Sequence, residues 1–211
     1  MKIGVIGAGK VGSTLAHLYV AAGNDVAIAN SQGPDTLRDL EQQLGRHAHA
    51  VTVEEAARYG DVVIVAVPFC QFEDLPADAL AGRTVIDATN YLPERDGHDA
   101  ELERGDVTSS ELMQRHLAGA HVVKAFNAMR WDHLRDYGHS AGSNFRYGIP
   151  VSGDDPDAKW RVLDLVEEIG FEPVDAGPLV EGGRKYQPGT ELYTADLEAD
   201  ELRARVGVEA A

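Results

Sequence analysis

The chain has 211 residues with 35 acidic and 19 basic side chains, a formal net charge of −16. That balance argues against nucleic acid, whose binding rests on neutralising phosphates with Lys and Arg. A single cysteine, Cys70, rules out an internal disulfide and any cysteine-rich metal site, and no apolar run approaches the ~20 residues needed to span a bilayer.

Lys2 to Ile6 is an apolar strand that runs straight into Gly7-Ala8-Gly9-Lys10-Val11-Gly12, after which Ser13-Thr14-Leu15-Ala16-His17-Leu18 continues as a helix. This is G-x-G-x-x-G in the setting a dinucleotide fold requires, with a second strand at Asp25 to Ala29. Gly7 permits the tight turn, Gly9 lets the backbone approach a pyrophosphate, and Gly12 lets the helix pack on the strand. The helix start supplies unpaired N–H groups for the phosphates. Because the strand begins at Lys2, no room is left for a signal or transit peptide, and the chain is expected in the cytoplasm.

Further strands are predicted near 47–51, 61–67, 83–88, 121–126, 147–152 and 171–175. Asp61-Val62-Val63-Ile64-Val65-Ala66-Val67 is continuously apolar, as a strand buried on both faces should be, and Pro68 stops it. Thr52-Val53-Glu54-Glu55 and Thr108-Ser109-Ser110-Glu111 read as capping boxes, and Pro34 suits the first position of a helix carrying Leu37, Leu40 and Leu44. Trp160, Leu163, Val166 and Ile169 recur at helical spacing, which places Trp160 in the core. Residues 91–107, with Pro93, Gly97, Gly105 and many charges, read as an exposed loop or lid. Cys70 reads as a small filler after a strand. From Gly177 onward only Ala195 to Val206 suits another helix. The alternation predicts an α/β, Rossmann-type fold, a mostly parallel sheet with helices on both faces. Residues 1–180 form the nucleotide domain, and 181–211 a short C-terminal extension.

Ligands of such sheets lie at the carboxyl ends of the strands. Taken in order, those ends give Gly7 to Gly12, Asn30-Ser31-Gln32, Val67-Pro68-Phe69, Thr89-Asn90-Tyr91 and Asn127-Ala128-Met129. The rim has no His–Asp pair, no carboxylate pair and no metal-ligand cluster, so no catalytic acid or metal ligand is assigned. Its composition suits holding two flat rings against each other. Asn90 and Asn127 would equally serve as turn-closing residues.

Cofactor choice falls on the turn after the second strand. NAD selection normally uses an Asp or Glu there, whereas NADP selection uses Arg and small hydroxyl residues. Asn30-Ser31-Gln32-Gly33-Pro34 has no carboxylate, and Ser31 with the following N–H groups can receive a 2′-phosphate. The reading is NADP(H), with weak discrimination because no Arg occupies the turn.

Gly-Ala-Gly-Lys-Val-Gly, Ile-Ala-Asn-Ser, Val-Ala-Val-Pro, Ile-Asp-Ala-Thr-Asn, Val-Val-Lys-Ala-Phe-Asn, Ser-Gly-Asp-Asp, Glu-Pro-Val-Asp-Ala-Gly-Pro-Leu and Gln-Pro-Gly-Thr together resemble one family. It is that of the NADPH-dependent coenzyme F-420 reductases and the dinucleotide-binding proteins around them. A more distant likeness is to the reductase domain of the STEAP metalloreductases. The resemblance spans about residues 1–190. It implies hydride transfer between NADPH and a deazaflavin (coenzyme F-420) or a flavin, with the nicotinamide near Pro68, Asn90 and Asn127. The cofactor-binding set is Gly7, Ala8, Gly9, Lys10, Val11, Gly12, Asn30, Ser31, Gln32, Val67, Pro68, Asn90, Ala125 and Asn127. Relatives commonly carry Ser-Arg where this chain has Ser31-Gln32, and Asn-Pro where it has Asn90-Tyr91.

Two other readings stay open. One is a small NAD(P)-dependent dehydrogenase of a carbonyl or imine with Lys124 as acid, and the other a non-catalytic NADP-sensing module. The substrate domain such dehydrogenases usually add, ~100 residues, would not fit in what remains of the chain. The expected partners are small-molecule redox cofactors, with neither nucleic acid nor membrane; a homodimer is allowed. An anionic acceptor such as F-420 would need a local cationic track, for which Arg130, Arg135, Arg146, Arg184 and Lys185 are candidates.

Overall fold

The computed structural model describes residues 1–139 and 145–207. Strands β1 (Lys2–Ile6), β2 (Asp25–Ala29), β3 (Ala48–Ala50), β4 (Val62–Val65), β5 (Thr84–Asp87), β6 (His121–Lys124), β7 (Gly148–Gly153) and β8 (Glu172–Asp175) form one sheet in the order β3-β2-β1-β4-β5-β6-β7-β8. All neighbours are parallel except β6 and β7. The fold is the expected Rossmann-type α/β sheet. Every predicted strand is present, most of them shorter by one or more residues at their ends.

The helices are α1 (Lys10–Ala21), α2 (Arg38–Leu44), α3 (Val53–Tyr59), α4 (Ala77–Leu80), α5 (Pro93–Asp96), α6 (Ala100–Glu103), α7 (Ser109–His116), α8 (Trp131–Asp136), α9 (Pro156–Glu168), α10 (Leu179–Gly182) and α11 (Ala199–Val206). Alternation along each strand sorts the core into two layers. Ile3, Val5, Ile28, Ile64, Ile86 and Val123 meet Leu15 and Tyr19 of α1, Leu134 of α8 and Val162 of α9. Ile6, Val63, Val65, Val85 and Val122 meet Ala56, Leu80 and Met113 on the other face. Covering both faces is what makes the central strands apolar throughout.

Thr52 and Thr108 both close reciprocal capping boxes, with Glu55 and Glu111, and Pro34 opens a 3₁₀ turn that leads into α2. Trp160 corrects the helical-spacing argument. It is 66% exposed, while Ala158, Val162, Leu165 and Val166 form the buried stripe of α9. The apolar series 160-163-166-169 starts one face away from the sheet, and Leu163 is only partly covered.

The 91–107 segment is also more ordered than a charged loop. It folds as α5 and α6 around Tyr91, whose hydroxyl accepts from Asp99 N at 2.8 Å and donates to the Gly97 carbonyl at 3.0 Å. Its charges are spent on backbone groups. The Asp96 carboxylate, 1% exposed, accepts from the amides of Leu92 and Cys70 and from Arg95. Cys70 itself is exposed, so it fills no core position.

Beyond residue 180 the chain packs on the β7–β8 end of the sheet. Tyr186 is fully buried and bonded to the Lys124 carbonyl and Ser152 Oγ, and Leu202 and Val206 of α11 cover Val174. Leu179–Gly182 and a 3₁₀ turn at Gly183–Lys185 add to the single helix expected there.

Candidate functional site

Register brings the strand ends to one level: Ile6 is opposite Ala29 and Val65, Val65 opposite Asp87, and Asp87 opposite Lys124. The residues that follow therefore make a continuous rim.

In the glycine turn each position meets a different constraint. Gly7 has φ +109°, and a Cβ on Gly12 would stand 1.8 Å from the Gly7 carbonyl oxygen. A Cβ on Gly9 would meet nothing within 4 Å. The fold therefore needs Gly7 and Gly12 for itself, whereas the space over Gly9 is free for a ligand. Gly9 caps α1 without a side-chain hydrogen bond, so the first N–H groups of this 12-residue helix face an anion site.

Gly7, Ala8, Gly9, Asn30, Ser31, Val67 and Pro68 line one cavity of about 350 Å³. Val11, Asn90 and Asn127 line a second, of about 250 Å³, together with Arg130, Trp131 and Tyr193. Lys10 is exposed, and its Nζ lies 5.0 Å from the centre of the Trp131 ring. Gln32 is exposed and lines neither cavity; its amide donates to Asn30 Oδ1 at 3.0 Å, shaping the turn. Gly12 and Ala125 also line neither. Ala125 is fully buried with its N–H on the Asp87 carbonyl at 3.2 Å, so it supports the rim from beneath.

The two asparagines are joined. Asn127 Nδ2 donates to Asn90 Oδ1 and to the Thr89 carbonyl, both at 2.8 Å, and Asn127 Oδ1 is buried with no partner among the described residues. Asp87 holds the floor below, accepting from Thr89 N, Thr89 Oγ1 and Ser110 Oγ. Lys124 Nζ lies 3.6 Å from Asp87 Oδ2 and donates to the Thr89 carbonyl at 3.4 Å. At 1% exposure Lys124 lines neither cavity, so it is placed as a brace beneath the site rather than as an acid in it.

Sequence reading missed two contributions. Gln71, Asp74 and Val53 complete the first cavity, and only the position of the 3₁₀ turn after Pro68 could have flagged the first two. Tyr193 and Thr194 reach the second cavity from far along the chain. Thr194 N donates to the Asn127 carbonyl at 3.2 Å, and both Thr194 (φ +50°) and Phe126 (φ +75°) sit in the left-handed region at this contact. Such strain persists where surrounding contacts over-determine it.

The expected cationic track is partly corrected. Arg130 lines the second cavity while pairing with Asp132, and Arg95 donates to the Asn90 carbonyl at 2.5 Å. Arg146 is 8% exposed and held by Glu172 and the Phe171 carbonyl at the β7–β8 end, where an acceptor at the rim cannot use it. Arg184 is bonded to the Gly105 and Asp106 carbonyls, and Lys185 to that of Val206. Although the residue is exposed, local desolvation of the Cys70 thiol and its hydrogen bond to Asp96 push it up, opposite to what a reactive thiolate needs. Among the described residues, no group of three or more His, Cys, Asp or Glu is placed to hold a metal ion, and no helix is long and apolar enough to cross a membrane.

An anion-accepting turn, an open approach over Gly9 and a buried oxygen at the adjoining cavity with no partner among the described residues fit a dinucleotide. Fold and site define a Rossmann-type NAD(P)-dependent oxidoreductase. Residues 2–91 match the family described as NADP oxidoreductase, coenzyme F420-dependent. The crystal structure of a hypothetical protein, SMa0349 of Sinorhizobium meliloti, is 33% identical with a TM-score of 0.81, covering 93% of this chain and 95% of that one. A structure from Arthrobacter sp. FB24, assigned provisionally as an F420-dependent NADP reductase, is 28% identical with a TM-score of 0.72, covering 87% and 88%. Metalloreductase STEAP3 of Rattus norvegicus is 28% identical over 180 residues, 84% of this chain. The chain spans 34% of STEAP3's length, and 42% of that of the Escherichia coli protein YjhV, which it matches over 58 residues. Over residues 2–91 the chain is thus similar to the coenzyme F420-dependent NADP oxidoreductases, and the likeness to the Arthrobacter structure extends it to 87% of the chain.

Proposed function

We propose that the protein binds NADP(H) in preference to NAD(H) and passes hydride between it and a second flat redox molecule, a deazaflavin such as coenzyme F-420 or a flavin. The observation that carries this reading is the second cavity. It adjoins the glycine turn through Val11, is walled by Trp131 and Phe126, and carries the joined Asn90–Asn127 pair. When bound, the nicotinamide would supply or accept the hydride, and the second ring would be the other party. Residues 1–180 would then serve as the dinucleotide-binding unit, with 181–211 as an extension that sends Tyr193 and Thr194 to the second cavity.

This chain's own groups would bind and orient rather than transfer protons. The N–H groups from Gly9 onward take the pyrophosphate, and Ser31, with no carboxylate beside it in the Asn30–Pro34 turn, leaves room for a 2′-phosphate. Asn90 and Asn127 fix the ring edge at the rim, while Trp131 and Met129 exclude water from it.

NADPH oxidation measured against F-420, FMN, FAD, ferric chelates and small carbonyls tests the reading. Turnover should be largest with F-420 or a flavin. If F-420 is the acceptor, its KM should rise with salt and with Arg130→Ala while NADPH affinity stays nearly constant. NADPH binding without turnover on any acceptor would favour the sensing module instead, and turnover restricted to carbonyls would favour the small dehydrogenase.

A further inference from the structure

The first cavity extends past the glycine turn to a wall that none of the motifs accounts for. Phe69–Asp74 is a 3₁₀ helix directly after Pro68, and in that geometry side chains three apart eclipse one another. Gln71 and Asp74 are such a pair, and both line the cavity. Both are exposed, and neither side chain has a hydrogen-bond or ion-pair partner among the described residues. Asp74 is the only charged side chain in this lining. Around them the wall is apolar, with Val53, Val67, Pro68 and Leu75.

Asn30 and Ser31 stand across the cavity at the end of β2, where a dinucleotide fold holds the ribose. The base attached to that ribose must then lie between the β2 turn and the 3₁₀ helix. A carboxylate only accepts hydrogen bonds, whereas a Gln amide both donates and accepts. The pairing edge of adenine offers an amino donor beside a ring-nitrogen acceptor. Hypoxanthine and guanine offer the reverse, a carbonyl acceptor beside a ring N–H.

We propose that Gln71 and Asp74 form a base-reading edge that selects adenine, with Asp74 accepting from the exocyclic amine and Gln71 Nε2 donating to the adjacent ring nitrogen. This rests on the dinucleotide reading above and adds the base as a specificity determinant. Hypoxanthine in the same pose would turn its carbonyl toward the Asp74 carboxylate, leaving two acceptors face to face. Hydrogen bonds to charged groups are among the stronger ones, and losing one costs roughly a factor of ten or more in affinity.

Dissociation constants for NADPH and NADH, and for the hypoxanthine analogue of each, measured on the wild type and on Asp74→Ala, Asp74→Asn and Gln71→Leu, test the proposal. Both positions are exposed, so all variants should fold. The wild type should prefer adenine by about tenfold or more. Asp74→Ala should bring the two bases within about threefold, and Asp74→Asn should do at least as much, since its amide can donate to the hypoxanthine carbonyl. Gln71→Leu should reduce the preference by a smaller factor. Equal binding of both bases by the wild type, or a preference unmoved by the Asp74 variants, would overturn the proposal. An Asp74 variant that changes the NADPH-to-NADH ratio while the base ratio stays fixed would place the carboxylate against the 2′ position and overturn it too. Failure of the wild type to bind any of the four would refute the dinucleotide reading, and the base-reading edge with it.

Discussion

Asn127 Nδ2 lies 2.8 Å from Asn90 Oδ1 and 2.8 Å from the Thr89 carbonyl, so both of its amide protons are spent within the rim. The amide cannot flip without setting its oxygen against two acceptors. Its Oδ1 is therefore fixed as an acceptor, buried and without a partner among the described residues. Asn127→Asp replaces the donor with a second oxygen at that place, and should destabilise the protein by about 1–3 kcal/mol. Urea unfolding of the variant with an unchanged midpoint would show that these two bonds do not hold the rim.

The glycine turn separates folding from binding. Gly12→Ala places a methyl group 1.8 Å from the Gly7 carbonyl oxygen if nothing moves, so α1 must shift from β1 and stability should fall. Gly9→Val meets no protein atom within 4 Å at its Cβ and should leave a folded chain that has lost dinucleotide binding. Thermal unfolding and NADPH titration of the two variants check this contrast. Unchanged NADPH affinity in Gly9→Val would remove the assigned role of the turn.

Cofactor discrimination should be weak and improvable. Gln32 is exposed and contributes only its backbone amide to the turn, through Asn30 Oδ1. Arg38 is engaged by Asp35 one turn further on. Gln32→Arg should therefore tighten NADPH relative to NADH by roughly 1–2 kcal/mol through a charge-assisted contact with the 2′-phosphate. Equal gains for both cofactors, read by titration, would show that position 32 does not face the 2′ group.

Acid stability should depend on Asp96. Burial raises its carboxyl, but the hydrogen bonds from Arg95 and from the amides of Leu92 and Cys70 outweigh that and hold it at about 2. Its unfolded value is about 4, so the folded form is the stronger acid, and the stabilisation is fully present above about pH 4 and lost as pH falls toward 2. Asp96→Asn should be less stable than the wild type by about 2 kcal/mol near neutral pH, with the gap closing between pH 4 and 2. A gap independent of pH in that range would assign the effect to packing instead.

The sheet was legible because its signals are local: apolar runs ended by Pro68, capping boxes at Thr52 and Thr108, and glycines whose spacing the turn demands. So was the part of the site that follows directly from strand ends. Where the reading failed, distant contacts decide. Trp160 has helical spacing but lies off the face that α9 turns to the sheet, and periodicity alone does not say where the buried stripe begins. Residues 91–107 looked solvated because of their charges, yet Tyr91 and Asp96 satisfy backbone groups within the segment. Arg146 looked available until Glu172 and Phe171, 25 or more residues away, claimed it. Gln71 and Asp74 acquire meaning only from the cavity they share with Ser31, across the glycine turn.

The most direct test follows the hydride itself. NADPH deuterated at the transferring position of the nicotinamide should be incubated anaerobically with the protein and oxidised coenzyme F-420, with a second sample containing flavin and a third containing carbonyl and imine acceptors. Direct transfer predicts label on the carbon of the reduced deazaflavin, retained in ordinary water, or flavin reduction matched mole for mole by NADPH loss. NADPH consumed only with carbonyl or imine acceptors, or bound tightly and never consumed, would contradict hydride transfer between two stacked rings.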